Sequence, residues 1–483
     1  MSGTRTNILV IATDQQRADA IGAYPGSQAL TPHLDAIAAE GILFTQCVSN
    51  APLCVPARAS VATGLLPRQH GVWSNAAGAN PAGPSHVRDV RDQGYTTAVI
   101  GKCHLYRDGP ATAAGTHTRD GDANLAAWGF DERMEVNDPI GTRHAGCSYT
   151  DYLESRGWLA EHQAYIQEWV DQMRSGEVRP WDQRPSPVPE GEDIDSFIGS
   201  NVVRWLERHD GEQPFYLQAQ FTGPHDPFDG PLAYRARYDA HELDPGIPEP
   251  PDNPVPGRIR ALLRRNRTIG AATISERQRW RAAYLGNVSL IDDWIGEILA
   301  VLRRRDWLSN TWIVFISDHG EMLGDHALWG KTVFYRQSVT VPCILRPPGG
   351  ITGRVSNALV ELIDVPATLR DIAGAEPLDS AMGCSLCEHL TSDSTGKEAI
   401  VSDLFGQTML RTRHHKLVFG TVDKRPHQLF DLEADPDERE NRVFDTRLAT
   451  ELLDRWMEPF DALTDQTAFA RYRDYVKQSG SLN

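Results

Sequence analysis

The sequence predicts an α/β fold: a large, mostly parallel sheet flanked by helices, followed by a smaller C-terminal α+β unit with an antiparallel sheet. Three observations predict it. Short β-rich apolar runs recur along the chain, helical patterns separate them, and the texture changes near residue 375. Buried strands alternating with helices are the signature of a parallel sheet covered on both faces.

Taken in order, Asn7–Thr13 (NILVIAT) is a continuous apolar run of the kind that forms a central strand. Thr96–Ile100, Phe215–Phe221, Trp312–Ser317 and Val341–Leu345 repeat the pattern. Pro56 suits the first turn of a helix, and Ala57–Thr63 reads as a helix stopped by Gly64. Ser275 to Gln278 (SERQ) reads as a capping box. It opens a long helix with Trp280, Tyr284, Val288, Ile291, Ile295, Ile298 and Leu302 at helical spacing. Arg179–Glu190 and Pro224–Pro256 are Pro-rich and read as loops. Beyond residue 375 come short strands at Leu410–Arg413, Lys416–Phe419 and Gln428–Leu432, an acidic turn (Glu433–Glu438) and a helix near Thr450–Phe460. The expected division is a catalytic α/β domain over 1–375 and a smaller domain over 376–483.

Composition narrows the function. The chain has 483 residues, 40% hydrophobic and 23% charged, which is ordinary globular usage. A formal net charge of −17 disfavours nonspecific binding to nucleic acid or anionic membranes. The N-terminus shows no signal-type apolar region, and no run approaches the ~18 apolar residues of a membrane span. The expectation is a cytoplasmic protein. The 7 cysteines are scattered, so a disulfide framework is not expected. Cys384 and Cys387 lack the second pair that a zinc site would need.

Ligands of open α/β sheets bind beyond the carboxyl ends of the strands. There this sequence places Asp14 and Gln15, Lys102 and His104, His225, and Asp318 and His319. Singly, each reads as a turn or cap residue. Together they divide by chemistry. Asp14, Gln15, Asp318 and His319 suit a divalent cation such as Ca²⁺, Mn²⁺ or Mg²⁺. Lys102, His104, His225 and Lys331 are cations and proton carriers. A metal flanked by cations points to a phosphate or sulfate ester. Cys54, at the N-terminus of the expected helix with Arg58 one turn on, lies where anions are favoured and a thiol pKa is lowered.

The run Cys54-Val-Pro-Ala-Arg58 resembles the Cys-x-Pro-x-Arg signature of type I sulfatases, in the alkaline phosphatase superfamily. Ala59–Gly64, Pro67–Gly71, Gly101–His104, Ser317–Glu321 with Leu323–His326, and Leu429–Leu432 with Asp435-Pro continue the resemblance. It runs from about Asn7 to Phe444.

The resemblance implies that a maturation enzyme oxidises Cys54 to formylglycine, whose hydrate attacks sulfur and then collapses to release sulfate. It implies Asp14, Gln15, Asp318, His319 and modified Cys54 as ligands of one divalent metal, Ca²⁺ first. Arg58 would hold the diol, and Lys102 and Lys331 the sulfate oxygens. His104 and His225 would serve as hydrogen-bond and acid–base groups, with His225 or Lys331 protonating the leaving oxygen. Asn75 would touch substrate. Many sulfatases have Asp and Asn where Gln15 and His319 stand, so this metal site carries less negative charge.

Within the family, the Lys102/His104 pair favours a sulfate ester over the phosphonate monoester hydrolases, which share the Asp-Gln and Asp-His pairs. Choline sulfatase is similar around the signature, but no aromatic cage is evident; Trp128–Asp131 reads as core. The default is an aryl or small alkyl sulfate. A non-catalytic binding protein would show damage at Cys54, Arg58 or the ligands, and none is seen. A phosphatase or mutase of the superfamily would present Ser or Thr as nucleophile. The basic run Arg258–Arg267 reads as a solvated helix or subunit contact, and His414-His415 as ordinary strand. The tail residues Phe469, Tyr472 and Tyr475 pack on their own chain or reach a neighbour in a homo-oligomer.

Overall fold

A computed structural model describes residues 5–105, 115–176, 179, 184–250 and 272–479. The basic run Arg258–Arg267 and the Tyr475 side chain lie outside the described residues, as do parts of both Pro-rich stretches.

The described residues form two sheets. The large one has eight strands in the order β4-β3-β5-β1-β6-β7-β2-β8. Its members are β1 (Asn7–Thr13), β2 (Ile42–Val48), β3 (Thr96–Gly101), β4 (Glu132–Glu135), β5 (Phe215–Gln220), β6 (Thr311–Ser317), β7 (Cys343–Arg346) and β8 (Arg354–Glu361). β1 lies between β5 and β6, parallel to both. Only β7 is reversed, pairing antiparallel with β6 and β2. Every residue of β1 is buried, because Ile8 and Val10 face one core while Leu9 and Ile11 face the other. That is why this strand is apolar without alternation.

The small sheet, β9 (Ala399–Leu404), β10 (Gln407–Thr412), β11 (His415–Gly420) and β12 (Pro426–Asp431), is antiparallel throughout. One face packs Leu410, Leu417 and Leu429 against Leu452 and Phe460 of the helix Thr446–Ala462. The other packs Ile400, Met409 and Val418 against Leu53, Phe334 and Leu359 of the larger unit.

The α/β expectation therefore holds. Strands β2, β4, β8 and β9 were not anticipated. β4 (ERME) and the first half of β8 are polar and partly exposed, so they lack the apolar run that marked the central strands. The long helix spans Ile274–Arg304, and its capping box is Thr273 with Glu276, not Ser275 with Gln278. The Thr273 hydroxyl accepts the Glu276 N–H at 3.2 Å, and Glu276 returns to the Thr273 N–H at 2.7 Å. The shorter helix begins at Cys54 itself and runs to Thr63, with Gly64 left-handed at φ 77° as its cap.

Candidate active site

The carboxyl ends of β1, β3, β5 and β6 converge with the N-terminus of the Cys54–Thr63 helix. Asp14 and Gln15 follow β1, Lys102 and His104 follow β3, His225 follows β5, and Asp318 and His319 follow β6. Gln15 and His104 are non-glycine residues in the left-handed region, at φ 69° and 50°. Such strain persists only where neighbours over-determine it. Gln15 is pinned by its N–H on Asp318 (3.1 Å) and its carbonyl under the Tyr284 hydroxyl (2.8 Å). Gly101, at φ 118°, ends β3 with no room for a side chain, since a Cβ would lie 1.8 Å from the Gln220 carbonyl.

Asp14 is the hub and is fully buried. Lys102 Nζ lies 2.7 Å and Arg58 Nη2 3.0 Å from one of its oxygens, and Lys331 Nζ 3.9 Å from the other. Burial pushes the Asp14 carboxyl up, but these cations outweigh it and hold it well below the usual range. Arg58 Nε donates to Asp318 at 2.9 Å. Arg58 thus braces the two carboxylates, and its hydrogen bonds go to them, to the Lys102 carbonyl and to Gln220 rather than to Cys54.

Cys54 Sγ lies 3.2 Å from His319 Nε2, 3.2 Å from Lys331 Nζ and 3.9 Å from Asp14. Burial and Asp14 push the thiol up, yet Lys331, Lys102 and His319 together hold it well below the ordinary thiol range. The point occupied by Sγ is therefore an anion's place.

Ligand atoms of Asp14, Cys54, Asp318 and His319 lie within 4.8 Å of one another. Two carboxylates and an imidazole, with an oxygen in place of the Cys54 sulfur, would suit a hard divalent cation. His319 Nδ1 donates to the Gly320 carbonyl at 3.0 Å, which orients the ring with Nε2 towards Cys54. Gln15 Oε1, the expected fifth donor, accepts Lys331 Nζ at 2.6 Å.

Asn75 and His104 have partners of their own. Asn75 Oδ1 accepts the Val55 N–H at 3.1 Å, so its oxygen caps the Cys54 helix. The His104 N–H donates to Glu135 at 3.1 Å, while its ring lies within the field of Asp138.

Sequence reasoning missed Asp226, Glu321, Asp138 and Gln220. Gln15 Nε2 donates to Asp226 and Glu321, which orients its amide. Glu321 stands inside the Asp318 motif and could have been found there; Asp138, in an irregular loop, offered no signal. Cys384 and Cys387 are free thiols outside the metal-ligating groups of the described residues. No helix among those residues is long and apolar enough to cross a membrane.

Residues 6–375 match the family model described as Sulfatase. The chain belongs to the sulfatase family. A second model, described as the C-terminal part of N-sulphoglucosamine sulphohydrolase, matches residues 324–466 of this sulfatase. An arylsulfatase of Clostridium perfringens is 29% identical over 458 residues, covering 91% of this chain and 90% of its own length. A choline-sulfatase of Rhizobium meliloti is 29% identical over 506 residues, covering 98% and 92%. Among solved structures, the phosphonate monoester hydrolase of Silicibacter pomeroyi superposes with a TM-score of 0.76 at 25% identity, covering 95% of this chain and 96% of its own. The sulfatase is a sulfuric ester hydrolase.

Proposed function

We propose that this sulfatase cleaves a small sulfate monoester of an aryl or short alkyl alcohol, using a formylglycine that a maturation enzyme makes from Cys54. One observation carries the reading: Cys54 Sγ lies at the meeting point of His319 Nε2 and Lys331 Nζ, 3.2 Å from each. Asp14, Gln15, Asp318, His319 and the modified Cys54 would hold one divalent cation, with Ca²⁺ the first choice and Mn²⁺ or Mg²⁺ the alternatives. When present, the aldehyde hydrate and the metal supply the oxygen nucleophile and its charge neutralisation.

The chain's own residues do the rest. Lys102 and Lys331 neutralise the sulfate oxygens, whose charge is what a cation-rich, water-poor site binds best. Arg58 helps to keep Asp14 ionised and holds both Asp14 and Asp318 in position. His225 meets the Asp226 carbonyl through Nδ1 at 2.8 Å, which directs Nε2 to the Cys54 side. Burial and the two lysines push the His225 imidazolium down, but Asp226 and Cys54 more than offset them, so the ring stays raised above 6.5. A protonated His225 can give its proton to the leaving oxygen. The alcohol would occupy the cavity of about 240 Å³ beside His225, lined by Tyr149, Ile166 and Val188.

A second reading has a specific observation behind it. Asp193, Asp195 and Asp229 line the same cavity, and burial pushes the last two up to about 7. An ammonium-bearing ester of the choline sulfate kind would relieve that buried charge. The deciding experiment is mass spectrometry of the peptide bearing Cys54, joined to assays with an aryl sulfate, choline sulfate and an aryl phosphonate monoester. The proposal expects the loss of roughly 18 Da that formylglycine implies, with the highest kcat/KM on aryl sulfate. Full turnover by an unmodified thiol would overturn the mechanism. A phosphonate preference would overturn the substrate, and a choline sulfate preference would select the second reading.

A further inference from the structure

Away from the catalytic centre, a cavity of about 360 Å³ opens where the two sheets meet. Arg17, Arg336, Arg411, Gln46, Gln337 and Glu438 are among its walls. Most of these charges are matched. Arg17 holds Asp19 at 2.6 Å and Asp325 at 2.8 Å. Arg336 holds Asp437 at 3.0 Å. Glu438 is paired with buried Lys416 and also accepts the Arg336 N–H at 2.9 Å.

Arg411 and Gln337 are not matched. Arg411, on β10, is 7% exposed, and among the described residues no carboxylate lies within ion-pair distance of it. Its Nη2 meets the Gln46 amide oxygen, while its Nε has no partner. Gln337 is 4% exposed, and neither atom of its amide has a partner. Burial and nearby Arg336 push the Arg411 guanidinium down, against the pull of Glu438. A buried guanidinium without a counter-ion and a buried amide without a bond are both costly, and native interiors rarely keep either. Both face one cavity, and its mouth at Asp19, Pro25 and Pro436 is exposed.

We propose that this cavity is a second, non-catalytic oxyanion site, in which sulfate, phosphate or a carboxylate accepts hydrogen bonds from Arg411 Nε and the Gln337 amide nitrogen. The anion supplies the charge and the acceptor that the protein leaves out, and a planar guanidinium suits such an anion. Arg336 adds a second cation at the rim. The site also touches the chemistry indirectly: the Gln337 and Ser338 carbonyls accept the N–H groups of Glu321 and Gly320 at 2.9 Å, directly after His319.

The test is calorimetric titration of the full-length enzyme with sodium sulfate, phosphate and acetate in turn, at ionic strength held constant with chloride. The three probes separate a tetrahedral dianion from a carboxylate. The wild type should bind at least one probe at a class of site beyond the one seen as competitive inhibition of hydrolysis. Arg411→Met and Gln337→Met should each weaken that class by about tenfold or more, leaving the competitive inhibition constant unchanged. Gln337→Met removes no charge, so it remains informative if Arg411→Met fails to fold. Crystals soaked in selenate should show anomalous density between Arg411 and Gln337. Titrations of Gln337→Met that match the wild type, or selenate at the catalytic centre alone, would overturn the proposal.

Discussion

Two buried charge clusters invite comparison: the one around Asp14, and the one around Arg68. Arg68 is fully buried and makes two parallel bonds to Asp403 of β9, at 2.9 and 2.8 Å, with Thr408 at 3.1 Å and Asp461 at 3.2 Å completing its shell. Its donors are spent on matched acceptors. Around Asp14 the balance differs, since Lys102, Arg58 and Lys331 converge on Asp14, with Arg58 also paired to Asp318, so three cations meet two carboxylates. The surplus positive charge falls on the Cys54 side, where an anionic substrate would bring the missing partner. Burial and ion pairing are common to both clusters; what separates a site from a clamp is the unmatched charge. Arg68 lies in the Pro67–Gly71 stretch that resembles sulfatases, yet its work here is to tie the short helix Pro67–His70 to the small sheet and the helix packed on it.

That contrast can be broken at its two ends. Cys54→Ala should lower kcat by at least ~10³-fold, because it removes the nucleophile. Its denaturation midpoint should stay close to wild type, as one small buried group is lost from a polar pocket. Arg68→Ala should do the reverse, costing about 3–5 kcal/mol by leaving Asp403 buried and unpaired while activity per folded molecule persists. Urea denaturation of both variants, with kcat measured on the folded fraction, reads this directly. An Arg68→Ala protein with normal stability and lost turnover would erase the distinction.

A smaller effect sharpens it through pH. His86 is another closed group, meeting the Ala62 carbonyl at 3.0 Å and the Tyr216 hydroxyl at 2.7 Å. Burial, with Arg370, holds its pKa down to about 3 from 6.5. Between those values the unfolded chain binds the proton and the folded chain does not. The stabilisation is therefore complete above pH 6.5 and is lost progressively as pH falls towards 3. His86 alone should cost about 2–3 kcal/mol between pH 7 and pH 4.5. His86→Gln should flatten that slope, and an unchanged urea midpoint profile would show that His86 is not its source.

The tail illustrates how far residue types carry. Phe469 and Tyr472 were expected either to pack on their own chain or to reach a neighbour. Both rings pack on Trp73 of the same chain, Phe469 tilted at 4.8 Å and Tyr472 stacked at 5.9 Å between centroids. Trp73 stands two residues before Asn75, so the helix Gln466–Ser479 that carries both rings buttresses the turn that caps the Cys54 helix.

The sequence by itself determined the strands that cross the core, because a strand buried on both faces must be apolar throughout, and Asn7–Thr13 admits no other reading. It also determined the chemistry at their ends, since Asp14, Lys102 and Asp318 follow their strands directly, His225 lies in the loop after β5, and a parallel sheet brings its carboxyl ends to one edge. Partners distant in sequence were decided only in three dimensions. Asp226 and Glu321 on Gln15, Asp403 on Arg68, and the unmet Nε of Arg411 beside the unmet amide of Gln337 depend on how loops and the second sheet pack. Hydrogen bonds and ion pairs act over a few ångströms, and no local pattern records which distant residue will arrive within that range.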